Sequence, residues 1–427
     1  RGVIVMATVT KTIGTGYGST GTGTVSTNNS VTVTGTSTSF TSEFGSGELQ
    51  MTIRIDSVTY SIESVDSDTV ITLRPAAEQI GGSLPNTGAG EAFQIGSRSY
   101  STISAWEADL SDESVYSHED DAVGVCYNDS PFNEAVVING GDSIGGSGGQ
   151  SLNSRKLTVH ADSKHDGTAG TGARNVYTGS TNPVLSIAIN NTTVEWLEYD
   201  CSGAGAASRQ LISVATDVIT GIYINNMIIH GVGNTTANTM GIAVSNGGNA
   251  SNTRYLANNI IYDISDASTN NFGLFCTNGS GKSEVYNNTI HGTGTNTGDF
   301  GLYILNGNVI FKNNISMGSG GKDIEESGSP TEEYNMTSDA TASGTGKQAS
   351  KTTADQFVSV TGGSEDLHIK SGSDAIDNGV DLGTTGNSNI DINGRDRDAQ
   401  GDTWDIGAHE LVPEAAAGAA FLLFVDI

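Results

Sequence analysis

Positive charge is scarce in this sequence: 19 Lys and Arg stand against 48 Asp and Glu, a net charge of −29. A nucleic-acid partner requires a positive patch to meet the phosphates, so none is expected. Acidic polysaccharide is disfavoured on the same ground, unless calcium or a local basic cleft intervenes. Calcium is therefore the one ion that enters the expectations, and no other cofactor is implied. Cysteine is equally sparse. Cys126, Cys201 and Cys276 are too few and too scattered for a disulfide framework, and no pair has metal-ligand spacing, so buried free thiols are expected. No stretch approaches the roughly 20 apolar residues of a membrane span, so no membrane insertion is expected. Arg1–Val5 precede Met6-Ala7-Thr8, which reads as an initiator, and no signal peptide follows it. Apolar periodicity of the helical kind is nearly missing, and only 6 Pro are present.

What the chain does have is 57 Gly with abundant Ser, Thr and Asn, interleaved with short Val- and Ile-containing runs. That mixture suits many tight turns and short strands. From Val194 to Asn335 one phrase keeps returning: Ile224-Asn225-Asn226-Met227-Ile228-Ile229-His230, then Ala257-Asn258-Asn259-Ile260-Ile261-Tyr262-Asp263, then Tyr286-Asn287-Asn288-Thr289-Ile290-His291, then Lys312-Asn313-Asn314-Ile315-Ser316-Met317. Aligned on their last Asn, the copies place Asn226, Asn259, Asn288 and Asn314 at spacings of 33, 29 and 26 residues, with a degenerate copy at Asn335 after 21 more. A loose period of one supersecondary unit, filled with β-type runs, points to an all-β right-handed parallel β-helix with one coil per repeat. Coils about 4.8 Å apart would turn the recurring Asn into a ladder, because an amide both donates and accepts. Ile228, Ile261 and Ile290 would stack inside. Val194–Asp200 reads as an earlier coil, with Glu198 standing where an apolar residue is expected.

Upstream, residues 1–23 read as an extended arm and 24–95 as a small antiparallel β barrel or sandwich with its linker. In the latter, Val31 and Val33, then Leu49, Met51, Ile53 and Ile55, keep a period of two. The phrase Gly23-Thr24-Val25, Val31-Thr32-Val33-Thr34-Gly35 and Val65-Asp66-Ser67-Asp68-Thr69 resembles a small β module of tailed-phage structural proteins, with Ser37 and Glu48 departing from its usual Gly and Asp. Residues 96–340 are assigned to the β-helix. Its entry, Tyr100-Ser101-Thr102-Ile103-Ser104-Ala105-Trp106-Glu107, carries the chain's best helix signal, with Ser104 and Glu107 at capping-box spacing. Such a helix would cover the open end of the core.

Residues 341–412 contain Asp366-Leu367-His368, Ser373-Asp374-Ala375-Ile376-Asp377-Asn378-Gly379, Asp391-Ile392-Asn393-Gly394-Arg395-Asp396-Arg397 and Asp405-Ile406-Gly407-Ala408-His409-Glu410. These resemble the closing segment of pectin-lyase-like β-helix surface proteins, with Asp374 in place of the usual Pro. Arg395 or Arg397 beside Asp391, Asp405 and Glu410 suits an ion-pair clasp that ends the coil stack. Residues 413–427 form an apolar tail whose Phe421, Leu422, Leu423, Phe424 and Val425 would present both strand faces to an intermolecular interface, with the N-terminal arm as a second contact.

For chemistry, Asp200, His230, Asp263 and His291 recur near the end of the repeated phrase and would form a file along one edge, as carboxylate–imidazole pairs for acid–base work on polysaccharide. Turn positions favour Asp and His-Gly for backbone reasons alone, and the file contains no Lys or Arg. Gly145–Gly149 lacks the Lys-Ser/Thr of a phosphate loop, and the acidic run at 117–122 lacks calcium-loop spacing. Two functional readings follow. The resemblances imply a structural component of a phage particle (head decoration, fibre or tail-spike-like), located in the virion and assembled as a homotrimer with other virion proteins. The second reading is a secreted or surface bacterial β-helix acting on or binding glycan, as lyase, epimerase, glycosidase or adhesin.

Overall fold

The computed structural model describes residues 7–14, 19–44, 52–56, 58–76, 83–96, 98–128, 131–142, 151–205, 210–214, 220–232, 238–245, 253–265, 270–277, 279–305, 307–400 and 403–412. The protein is all-β and dominated by three long parallel sheets of nine, seven and seven strands. In each repeat the chain visits the sheets in turn. Ile222–Asn225 lies in the first, Ile228–His230 in the third, Met240–Val244 in the second, and Thr253–Ala257 returns to the first. Each visit pairs in parallel with the strand one repeat earlier.

Register explains the packing. In the first sheet Val194, Ile224, Leu256, Val285 and Phe311 lie in one file. In the third, Ile229, Ile261 and Ile290 do the same. All are buried in one continuous core, which no single repeat has enough apolar surface to build. Ile228, expected inside, points the other way. It shares a file with Ile260 and Ile315 on the outer face of the third sheet, and belongs to a second core.

The Asn phrase is also offset by one residue from its expected alignment. Asn225 pairs with Ala257 and Ile228 with Ile260, so Met227 stands opposite Asn259 and Asn226 opposite Asn258. The interior ladder is therefore Asn259, Asn288, Asn314 and Asn335. Asn259 Nδ2 donates to Asn288 Oδ1 at 2.8 Å, Asn288 Nδ2 to Asn314 Oδ1 at 3.0 Å, and Asn314 Nδ2 to Asn335 Oδ1 at 3.0 Å. Asn226 belongs instead to an outer file with Asn258, Asn287 and Asn313, all at φ between 53° and 58°. Asn tolerates this left-handed conformation better than most residues, which is why it recurs at the corner.

The N-terminal segment is not a free arm over its described length. Thr8–Ile13 is the first strand of the first sheet, parallel to Asp121–Cys126. The chain then leaves for an eight-stranded antiparallel module spanning 19–95, with Val25, Val33, Phe40, Ile53, Ile62 and Phe93 in its own core. It returns where it left: Tyr100 N donates to Thr12 O and Gly14 N to Tyr100 O, both at 3.0 Å. The helix Ile103–Ala108 follows. Its cap is the Thr102 hydroxyl, which accepts from Ala105 N at 3.1 Å, rather than a Ser104–Glu107 box. Glu134 receives Ile103 N and Ser104 N, while Glu107 turns away to Asn139 N and Gly140 N. Trp106, fully buried, lies on Gly124, where a Cβ would come within 2.7 Å of the indole.

Only the first residues of the closing segment reach the far end of the sheets. Residues 338–350 do that, through bridges Glu333–Thr345 and Met336–Gln348. The hairpin Phe357–Thr361/Ser364–Ile369 and the stretch to Val412 instead run back along the outer face of the third sheet. There Phe357, Leu367, Ala375, Ile392 and Ile406 bury Ile228, Ile260 and Ile315. The outer Asn file fastens this strap. Asn226 Nδ2 donates to Asp391 O at 2.7 Å, Asn258 to Asn387 O at 3.0 Å, Asn287 to Ser388 O at 2.8 Å and Asn313 to Val380 O at 2.8 Å. Phe421–Val425 lie outside the described residues. No helix among the described residues is long and apolar enough to cross a membrane.

Candidate functional site

Two clusters of the expected residues are assembled by this fold, and they differ in kind. The first is the clasp. Arg397, completely buried, donates from Nη1 to Glu410 Oε2 at 2.7 Å and from Nη2 to Asn258 Oδ1 at 3.2 Å and Gly407 O at 2.7 Å. Glu410 Oε2 also accepts Asp405 N, and Asp405 accepts Leu411 N and Asp377 N. Asp391 takes Asn393 N, Arg395 N and Glu410 N, while Arg395 reaches Glu410 O at 3.2 Å. Every carboxylate is occupied by backbone donors or by Arg397. This cluster ties the strap to itself and to Asn258 of the sheets.

The second cluster is the candidate catalytic file. The paired residues are Asp200, His230, Tyr262, His291 and Met317, so Tyr262 stands where Asp263 was expected. Asp263 follows at φ 54°, in the corner position held by Gly231, Gly292 and Gly318 in neighbouring repeats. His230 and Tyr262 stack with centroids 4.8 Å apart and planes 2° from parallel. Nε2 of His230 meets Glu198 Oε1 at 3.0 Å, and Gly170 N donates to Glu198 Oε2 at 2.6 Å. Glu198, only 2% exposed and in the neighbouring file with Ile228, is the partner of His230 that the sequence reading missed. Its signal was a carboxylate at an otherwise apolar repeat position. Asp200 turns to Ser202, accepting its N–H at 3.0 Å and its hydroxyl at 2.6 Å. His291 donates from Nδ1 to Met317 O at 3.2 Å and lies against Phe357 under the strap, where burial holds its pKa low.

His230, Tyr262 and Asp263 form one wall of a cleft of about 480 Å³ whose other wall is the hairpin tip Gly363-Ser364-Glu365-Asp366. Burial, then the nearby Glu365 carboxylate, push the Asp263 pKa up, partly offset by His230 and His291. Among the described residues no group of three His, Cys, Asp or Glu has the geometry to hold a metal ion. Asp120 and Asp121 of the acidic run accept hydrogen bonds from Ala7 N, Ser117 N, Asn153 and Ser154, and Gly145–Gly149 lie outside the described residues. No protein-family model, curated protein or solved structure matches the chain.

One further histidine makes the structure acid-sensitive. His165 Nε2 donates to Asn226 O at 2.8 Å, while Nδ1 accepts Gly167 N at 3.3 Å, which requires the neutral ring. Desolvation is the main cause that lowers its pKa to about 4. A depressed histidine contributes stability above its unfolded value near 6.5, lost as pH falls toward 4. At about 1.4 kcal/mol per pH unit, full loss amounts to about 3 kcal/mol. His165→Gln should flatten denaturant stability between pH 6.5 and 4 relative to the parent. Parallel pH profiles for the two proteins would contradict the assignment.

Proposed function

We propose that this chain is a structural protein of a tailed-phage particle, a right-handed parallel β-helix that carries a small attachment module at its capped end. The observation that carries this reading is the strap. It packs along the outer face of the third sheet, where the candidate file lies, so that His230 and Asp263 face a cleft closed off by the hairpin tip rather than a continuous groove along the file. His291 and Asp200 have structural partners, and no basic side chain joins the file. Turnover of uronate or neutral polysaccharide is therefore not expected. The −29 charge favours solubility and resistance to strand-edge association, which a strand-rich surface component needs. Homotrimer formation and contacts with other virion proteins belong to the same reading.

Gly14 and Tyr100 are hydrogen-bonded neighbours, so the module can be excised at its root. Replacing residues 15–98 with a short Gly-Ser linker should leave the melting midpoint of the remaining sheets within a few degrees of the parent. The excised chain should no longer co-sediment with particles assembled in its presence, while the full chain does. Co-sedimentation of both removes the attachment role of the module, and co-sedimentation of neither removes the particle reading.

A further inference from the structure

We infer that the cleft between the His230–Tyr262–Asp263 corner and the Gly363–Asp366 hairpin tip is a binding site for a neutral, hydroxyl-rich ligand of the saccharide class. The cleft would bind such a ligand whether or not the chain is part of a particle. Its size, about 480 Å³, lies within the roughly 300–1,000 Å³ of small-molecule sites. Its walls come from segments 102 residues apart, the repeat corner at Asp263 and the hairpin at Glu365, and both are anchored. The corner is fixed by the parallel pairing of Tyr262 with His230 and His291, and the hairpin by its pairing from Phe357–Ile369 to Thr361–Ser364.

The lining has two characters side by side. The stacked His230 and Tyr262 rings with Ala169 make an apolar strip, and the Ser202, Ser364 and Thr168 hydroxyls border it. His230 is held from behind by Glu198, so its orientation is set before any ligand arrives. Asp263 and Glu365 approach from opposite walls. They repel one another, and the raised Asp263 pKa is the local symptom. A purely architectural corner has no use for two facing carboxylates without a cation between them. Acceptors of this kind suit vicinal hydroxyls, which donate two hydrogen bonds to one carboxylate.

The charge pattern excludes other classes. Among the described residues no Lys or Arg lines the cleft, so a phosphate, sulfate or uronate would meet only repulsion. A divalent cation lacks a three-ligand set there. Asp366 is already committed to His368, whose Nδ1 lies 2.5 Å from its Oδ1. A ligand with both an apolar face and many hydroxyls satisfies what remains.

Saturation-transfer NMR on the full chain tests this. The probes are neutral di- and tetrasaccharides of glucose, galactose, mannose and N-acetylglucosamine, with oligogalacturonate and calcium chloride alone as comparisons. Transfer to the ring protons of at least one neutral saccharide is expected, with none to galacturonate. Glu365→Gln is a near-isosteric change at a half-buried position beside the hairpin turn, and Asp263→Asn keeps a residue suited to positive φ. Each also removes one of two repelling carboxylates, so both should leave the melting midpoint no lower than the parent's while weakening binding at least tenfold. Silence across the neutral panel overturns the inference. So does equal binding by both variants, preference for galacturonate, or calcium alone shifting the His230 ring signals.

Discussion

Arg397→Ala should cost about 3–5 kcal/mol, the usual penalty for removing one member of a buried ion pair. It should detach the strap before it melts the parallel sheets. The side chain is fully buried and joins three things at once: Glu410 in the closing segment, the Gly407 carbonyl, and Asn258 on the outer file of the sheets. Alanine leaves Glu410 buried without a charge partner, and leaves Asn258 Oδ1 without its guanidinium donor. The strap's remaining anchors are neutral hydrogen bonds at Asn226, Asn258, Asn287, Thr289 and Asn313 together with its apolar contacts. Limited proteolysis should therefore cut the variant first within residues 352–412, while a core of sheet strands survives. Simultaneous loss of both parts would mean that strap and sheets are one cooperative unit. Arg397→Lys should recover little, since an ammonium cannot satisfy Glu410, Gly407 and Asn258 from one planar fork.

The repeat and its parallel pairing were legible because the phrase is short, apolar and framed by turn residues. Its register was not, and the reason lies in the Asn-Asn dipeptide. Both members are useful, the first for positive φ at the corner and the second for the interior ladder. Where Asn225-Asn226 occupies the two positions before Met227, matching on the last Asn slips the alignment by one. Period-two side-chain alternation then turns that slip into an inside–outside error, which places Ile228 in the wrong core. The clasp residues were visible as a motif, but their location was not. Asn226 and Asp391 are 165 residues apart, and nothing local in either segment names the other. The pairing of Thr8 with Asp121 was hidden in the same way by the intervening module. At the cleft, His230 and Asp263 were legible as polar turn residues, whereas Glu365 comes from a hairpin that only the strap's path brings near.

The interior ladder predicts a second large effect. Asn288→Leu should destabilise the protein by about 3–6 kcal/mol, although leucine matches asparagine in heavy-atom count and branching and is more apolar. Asn288 Oδ1 accepts both the Asn259 backbone N–H at 3.1 Å and the Asn259 side-chain amide at 2.8 Å. Its own Nδ2 donates to Leu256 O, Tyr286 O and Asn314 Oδ1 at 3.0–3.1 Å. Parallel strands leave the corner backbone groups unpaired as the chain turns from the first sheet to the third, and the amide is what satisfies them. Leucine removes that partner without removing the backbone groups. Each buried orphan costs about 1–3 kcal/mol, and two or three are created at once. The neighbouring position offers the control. Met227 occupies the ladder site one repeat before Asn259, and its backbone N–H is already met by Asn259 Oδ1 at 3.0 Å. The ladder therefore begins at Asn259, and Met227→Leu should cost less than about 1.5 kcal/mol as a volume-conserving swap. Chemical denaturation of the two variants separates polar satisfaction from packing. Equal losses at positions 227 and 288 would show that the ladder amides contribute no more than the volume they fill.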